Sequence, residues 1–242
     1  MTADDHHGQS REDALQPTPD PATQAAMWDE RYSDESRVWS GEPNGALVDE
    51  LAGVPAGTVL DVGCGEGADA VWLAQQGWDV SALDVSEVAL ARARQAAADA
   101  DVQIHWLHSG VVEATLPAAG FDLVSAQYPA VLRTPDNTAE RALMAAVAPG
   151  GTLLFVHHAT FGSQPEAGSA HEHHHHHEGH ASAATTDENR VDPTDYVGPA
   201  DMLSALDDNW IIETNEVRDR RISGGAGAHH HEDVVIKARR LA

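Results

Sequence analysis

The sequence predicts an α/β protein on a mostly parallel sheet of about seven strands, with helices on both faces and an antiparallel hairpin at its C-terminal side. Three observations carry this reading. Short apolar runs alternate with stretches of helical spacing between Thr58 and His157, the pattern of strands joined by crossover helices. Glycines stand at the junctions, at Gly63, Gly77 and Gly150. Two extended segments then close the chain with no helix between them, as an antiparallel pair requires.

Residues 1–22 carry Asp4, Asp5, Glu12, Asp13 and Asp20 together with Pro17, Pro19 and Pro21. They offer little to bury and read as a disordered acidic tail, leaving 23–242 as a single domain. Order is expected from near Gln24, with a short helix at Trp28–Tyr32 and another from Asn44 to Ala52. Thr58–Val62 is an apolar run ending in glycines, which suits a buried strand. Ala70, Val71, Leu73 and Ala74 give 68–76 helical spacing, and Gly77 is placed to cap its C-terminus. Trp78–Leu83 is strand-like, and Ser86 is an N-cap for an alanine-rich helix reaching about Ala98. Val102–Leu107 and Phe121–Ala126 read as the third and fourth strands. A helix over 138–147 stops at Pro149-Gly-Gly151, and Thr152–His157 makes the fifth. Residues 162–195 break the pattern: they lack aromatic residues, and seven histidines fall between His171 and His180. This segment is expected to be a disordered insert. A helix near Gly198–Leu206 and extended segments at Trp210–Val217 and Asp233–Arg239 complete the domain.

Fourteen Lys+Arg against 39 Asp+Glu leave a formal charge of −25, which disfavours nucleic acid as a partner. No apolar run approaches the roughly 18 residues of a membrane span, and the N-terminus lacks the features of a signal peptide. The single cysteine, Cys64, excludes an intrachain disulfide. A cytoplasmic protein is the expectation. No heptad or long apolar stripe announces an oligomer, so the oligomeric state stays unknown.

The segment Val59-Leu-Asp61-Val-Gly63-Cys-Gly65-Glu-Gly67 runs a strand into a glycine loop and then a helix, and Asp84 ends the next strand. Glycines let a ligand approach bare backbone, and a carboxylate at Asp84 can accept both hydroxyls of a ribose. The spacing is not the G-x-G-x-x-G of dinucleotide sites. Asp61 and Glu66 beside the loop would repel a pyrophosphate and instead suit a ribose-bearing ligand with positive charge, such as S-adenosylmethionine.

On these residues the chain resembles the class I S-adenosylmethionine-dependent methyltransferases, within them the small-molecule group similar to tellurite-resistance and thiol methyltransferases. Asp61–Gly67 resembles that family's first motif and Leu83-Asp84-Val85-Ser86 its second. Phe121–Tyr128 resembles the fourth-strand motif, and Ala148-Pro-Gly-Gly-Thr152 the turn before the fifth strand. The resemblance implies a Rossmann-like sheet and S-adenosyl-L-methionine as cofactor. It implies that Gly63, Cys64, Gly65 and Gly67 line the methionine part and that Asp61 faces the ammonium through water or backbone. Asp84 would hold the ribose, Val85 would pack on the adenine, and Gln127 would border the pocket. Arg31 would meet the methionine carboxylate from an aromatic segment that closes over the cofactor. Where many relatives have an acidic residue for the adenine amino group this chain has Gly110, so adenine recognition is expected from backbone around Val111 and apolar packing.

Methyl transfer from a sulfonium needs chiefly alignment of the acceptor and exclusion of water, so no obligatory triad is expected. Tyr128, His157 and His158 stand after the fourth and fifth strands and are the catalytic candidates, a histidine being able to take a proton from a thiol or hydroxyl. No Asn-Pro-Pro-Tyr sequence follows the fourth strand, where Gln127-Tyr-Pro-Ala130 stands. With the acidic surface, this favours a small-molecule acceptor: a thiol, a hydroxyl or a chalcogen oxyanion. His171, His173, His174, His175, His176, His177 and His180 form a candidate weak site for Ni, Cu or Zn, with His229–His231 a second cluster. They support a competing reading, a metal-binding or metal-sensing protein that keeps the methyltransferase fold.

Overall fold

The computed structural model describes residues 19–34, 36–159, 193–221, 224–225 and 230–242. Five strands form the parallel body of the sheet: β1 (Thr58–Val62), β2 (Asp79–Asp84), β3 (His105–His108), β4 (Phe121–Gln127) and β5 (Val147–His158). Two more, β6 (Trp210–Asp219) and β7 (Glu232–Arg240), complete the order β3-β2-β1-β4-β5-β7-β6, with β7 antiparallel to both of its neighbours. Strand order reverses at β1, which lies between β2 and β4, and open sheets of this type form a ligand crevice at the carboxyl ends of such strands.

Successive residues along each central strand point to opposite faces, so apolar neighbours build two cores. Leu60, Val124, Leu153 and Ile236 meet α5 (Thr138–Ala146) and α6 (Pro199–Ala205) through Leu143 and Met202. Val59, Leu123, Leu154 and Val235 share the other core with Leu47, Leu73 and Leu90, from α2 (Gly45–Glu50), α3 (Ala68–Gln75) and α4 (Glu87–Asp99). Helices thus cover both faces, as the near-continuous apolar strands demand. Among the described residues no helix is long and apolar enough to cross a membrane.

Most boundaries shift by a residue or two from the sequence reading, and three differ for a local reason. The first helix, α1 (Pro21–Asp34), is longer than 28–32 and starts ahead of Gln24. Asp20 caps it, accepting the N–H groups of Ala22 at 2.9 Å and Thr23 at 3.1 Å, and Pro21 fits the first turn. β3 starts at His105 rather than Val102, because Asp101 is left-handed (φ 53°) and the Val102 N–H turns back to Ala97 O at 3.1 Å. Pro149-Gly150-Gly151 lies inside β5, since a register shift lets Val147 also pair with Phe121. The 1–18 part of the acidic tail, most of the 162–195 insert, the histidines at 171–180 and His229 lie outside the described residues.

Candidate functional site

The glycine loop is fixed to the end of β2 by hydrogen bonds of the protein's own. The N–H groups of Gly63 and Cys64 both donate to Leu83 O, at 2.9 and 3.0 Å. Asp84 spans the gap beside them: its Oδ2 accepts the Gly65 N–H and its Oδ1 the Ser86 N–H, each at 2.8 Å. A Cβ on Gly65 would lie 2.9 Å from the Tyr32 hydroxyl and 3.3 Å from Trp39 Nε1, so glycine is what lets the N-terminal segment lie against the loop. Tyr32 and Trp39 are joined there by an Nε1–H···OH bond of 2.8 Å.

Above the carboxyl ends of β1, β2 and β4 lies a cleft of about 1210 Å³. Of the residues expected around a cofactor, Arg31, Gly63, Cys64, Gly65, Asp84, Val85, Val111 and Gln127 line it. Arg31 stands with its guanidinium 5.7 Å from the ring centres of both Trp28 and Trp39. Asp61 and Gly67 are not in the wall. Gly67 instead packs against α4, where a Cβ would meet that of Ala93 at 2.8 Å. Asp61 is buried, and its Oδ2 has no hydrogen-bond partner among the described residues. Glu66 lines the cleft, but its carboxylate is engaged by the protein itself. It accepts the Trp39 N–H at 3.0 Å and pairs with Arg92 at 2.7 Å, which ties the N-terminal segment to α4.

Asp69 and Glu113 are among the carboxylates at the cleft that escaped sequence reading. Asp69, in the first turn of α3, is buried in the wall and holds Asn44 through bonds of 2.7 Å from its N–H and its side-chain amide. Glu113 lines the cleft too, and its carboxylate occupies the space that a Cβ on Gly110 would take. No motif marks either residue, although the missing side chain at Gly110 was the available signal for Glu113.

Burial pushes the Asp61 carboxyl well above the usual carboxylate range, and the nearby Asp69 and Asp84 push it further. Burial likewise raises Asp69 against its bonds from Asn44, and Asp84 against those from Ser86 and Gly65. Asp69 and Asp84 at one end of the cleft, with Asp61 buried outside its wall and one Asp61 oxygen unpartnered among the described residues, are relieved by a cation. A ligand carrying positive charge and ribose hydroxyls therefore fits the residues present.

The other end of the cleft gathers Tyr128, His157, His158, Tyr196 and Arg220. Tyr128 has a left-handed backbone (φ 51°), which directs its side chain away from the line of β4, and its hydroxyl donates to Asp233 Oδ2 of β7 at 2.6 Å. The Arg220 guanidinium lies 4.5 Å above the Tyr128 ring. Gln127 donates to Ser125 Oγ at 3.1 Å, while its buried Oε1 has no partner among the described residues. The sequence candidates Tyr128, His157 and His158 thus come together, joined by Asp233 and Arg220, which sequence spacing did not flag. No group of three or more His, Cys, Asp or Glu able to hold a metal ion occurs among the described residues.

Residues 59–151 match a family model described as a methyltransferase domain. Over 117 residues the chain is 41% identical to an uncharacterized methyltransferase of Mycobacterium tuberculosis, covering 48% of this chain and 57% of that relative. Over 111 residues it is 38% identical to a ubiquinone biosynthesis O-methyltransferase of Bordetella avium, covering 45% and 46%. The chain thus spans about half the length of the curated relatives it matches. The fold is similar to that of the Burkholderia thailandensis 1,6-didemethyltoxoflavin-N1-methyltransferase, solved with bound 1,6-didemethyltoxoflavin and S-adenosylhomocysteine. The TM-score is 0.58 at 19% identity, over 98% of this chain and 99% of that one.

Proposed function

From the premise that this chain carries a methyltransferase domain on a class I, S-adenosylmethionine-dependent fold, we propose that it moves a methyl group from S-adenosylmethionine to a small-molecule nucleophile. The observation that supports this best is the tie between the glycine loop and Asp84, a 2.8 Å bond at the switch point of the sheet and within the matched domain. When bound, the cofactor supplies an electrophilic methyl carbon on a sulfonium whose thioether leaves neutral. The protein's part is to bind, orient and exclude water. Asp84 keeps lone pairs for ribose hydroxyls while both of its oxygens hold backbone. Asp61 supplies negative charge behind Gly63–Gly65 toward the ammonium, and Arg31 meets the carboxylate. Val85 and Val111 flank the adenine. Glu113, beside Gly110, accepts from its amino group next to the backbone around Val111.

The cleft exceeds the roughly 300–1,000 Å³ of a typical single-ligand pocket, which leaves room for an acceptor beside Tyr128 and His158. A thiol, a hydroxyl or a chalcogen oxyanion is the acceptor class, and the O-methyltransferase among the relatives weights the hydroxyl. The same reading puts the protein in the cytoplasm, its one cysteine forming no disulfide.

Calorimetry tests the cofactor side. Charge-assisted hydrogen bonds contribute about 1.5–3 kcal/mol, so Asp84→Ala should weaken S-adenosylmethionine binding by about 10–100-fold. Glu113→Ala should cost less, about 3–10-fold, through one exposed contact. Equal affinity in wild type and Asp84→Ala, or none in either, would sink the reading. Incubating labelled cofactor with phenols, thiols, amines and tellurite then identifies the acceptor.

A further inference from the structure

On the reading that the acceptor binds beside Tyr128, we propose that His158 is its general base and Asp233 the positioning residue for His158, so that the enzyme takes acceptors with a protonated hydroxyl or thiol rather than preformed anions. Three side chains at this end of the cleft are eligible to take a proton, and geometry separates them. Tyr128 already donates its hydroxyl hydrogen to Asp233 Oδ2 at 2.6 Å. Burial, and then that bond, raise its pKa, so it stays a phenol. His157 accepts the His158 backbone N–H at Nδ1, 3.0 Å away, which places its own proton on Nε2. It is 5% exposed, and burial followed by the neighbouring His158 pushes its pKa down to about 3.

His158 is held differently. Its ring lies between two others, 4.5 Å from Tyr128 at an interplanar angle of 27° and 3.8 Å from His230 at 16°. Both ring faces are covered, so only the edges can react. Nδ1 is buried without a hydrogen-bond partner among the described residues, and so is Asp233 Oδ1, 3.6 Å away. One is able to donate and the other can only accept. Buried polar atoms are nearly always paired, and catalytic hydrogen bonds are often long before substrate binds. A contraction of about 0.5 Å, to ordinary N–H···O distance, satisfies both atoms at once. It also fixes the tautomer, with the proton on Nδ1 and the Nε2 lone pair toward the cleft that His158 lines.

The charged and titratable groups around this ring are Tyr128 from the end of β4, His157 on β5, Arg220 beyond β6, and His230 and Asp233 at the start of β7. Arg220 Nε stands 3.9 Å from the same Asp233 oxygen. In the step, His158 Nε2 takes the acceptor's O–H or S–H proton as the acceptor's lone pair forms its bond to the methyl carbon. The carbon–sulfur bond breaks with its electron pair kept by sulfur. The imidazolium so formed faces Asp233. An acceptor that arrives as an anion has no proton to give and gains nothing from this arrangement.

The test uses two probes, catechol, which is protonated at neutral pH, and 4-nitrothiophenol, which is ionised. His158→Gln should lower kcat for catechol by about 10²–10⁴-fold, the usual worth of a general base, and change the ionised thiol little. Asp233→Asn should give a smaller loss with catechol. That loss should fall in kcat with the KM for catechol little changed, the split expected of a residue that positions the base rather than the acceptor. Cofactor binding by calorimetry shows that each variant is folded. Independently of turnover, ¹⁵N spectra of the wild type with S-adenosylhomocysteine and catechol bound should show His158, identified by its contacts to Tyr128 ring protons, as the Nδ1–H tautomer. Equal losses with both probes, or an Nε2–H tautomer, overturns the assignment while leaving the methyltransferase reading intact. A wild type that neither binds S-adenosylmethionine nor methylates any acceptor overturns that reading instead.

Discussion

Gly63, Gly65 and Gly67 look equivalent in the motif, but their surroundings give them three different tasks. Gly63 opens to the cleft, Gly65 lies under Tyr32 and Trp39, and Gly67 caps α3 against α4. Gly67 has φ 83°, and an added methyl would approach Ala93 Cβ to 2.8 Å and its backbone Cα to 3.1 Å. Neither neighbour can swing aside. Gly67→Ala should therefore cost about 2–4 kcal/mol, combining left-handed strain with overpacking, and lower the melting temperature by about 5–15 °C. A melting curve within a degree or two of wild type would refute this. The resemblance implied a place for Gly67 along the methionine part of the cofactor, whereas the structure packs it against α4.

At the scale of elements, α1 is fastened to α4 at two points. Asp29 Oδ1 accepts from the Ser86 hydroxyl at 2.6 Å and the Val88 N–H at 3.2 Å. Arg92 reaches both Glu66 and the Tyr32 carbonyl. Glu66→Gln removes the charge of the second fastening and should loosen the segment between α1 and α2. Limited proteolysis should then cut there several-fold faster, with cofactor affinity reduced a few-fold; an unchanged cleavage rate would show that Asp29 alone suffices. What was legible follows from range. Ser86 and Gly77 announce themselves because a cap is written in adjacent residues, and the Ser86 hydroxyl does accept the Ala89 N–H at 3.1 Å. Asp29 as a second partner of that cap, and the bond between Tyr128 and Asp233 across 105 residues, leave no periodic trace. Their pairing exists only once the sheet has brought β4 and β7 onto either side of β5.

For the molecule as a whole, the −25 charge is uneven in its consequences. Exposed carboxylates cost little, whereas Asp61, Asp69 and Asp84 hold raised pKa values inside the protein. Groups raised in the folded state stabilise it below their unfolded value of about 3.9, and that stabilisation is lost as pH climbs through the folded values. A bound cation favours their ionised forms, so S-adenosylmethionine binding should release protons, and its thermal stabilisation should grow as pH rises through the folded values. Binding heats that are identical in buffers of different ionisation enthalpy would exclude this linkage. The sheet order carries one more consequence, in time rather than space. A ribosome delivers β1 to β5 in a sequence that lets each new parallel strand find a neighbour already made. β6 emerges before β7, the only strand it pairs with among the described residues. Until Glu232–Arg240 has been translated, β6 has no place to dock and Asp233 does not yet exist, so a nascent chain can complete its glycine loop well before it owns an acceptor wall.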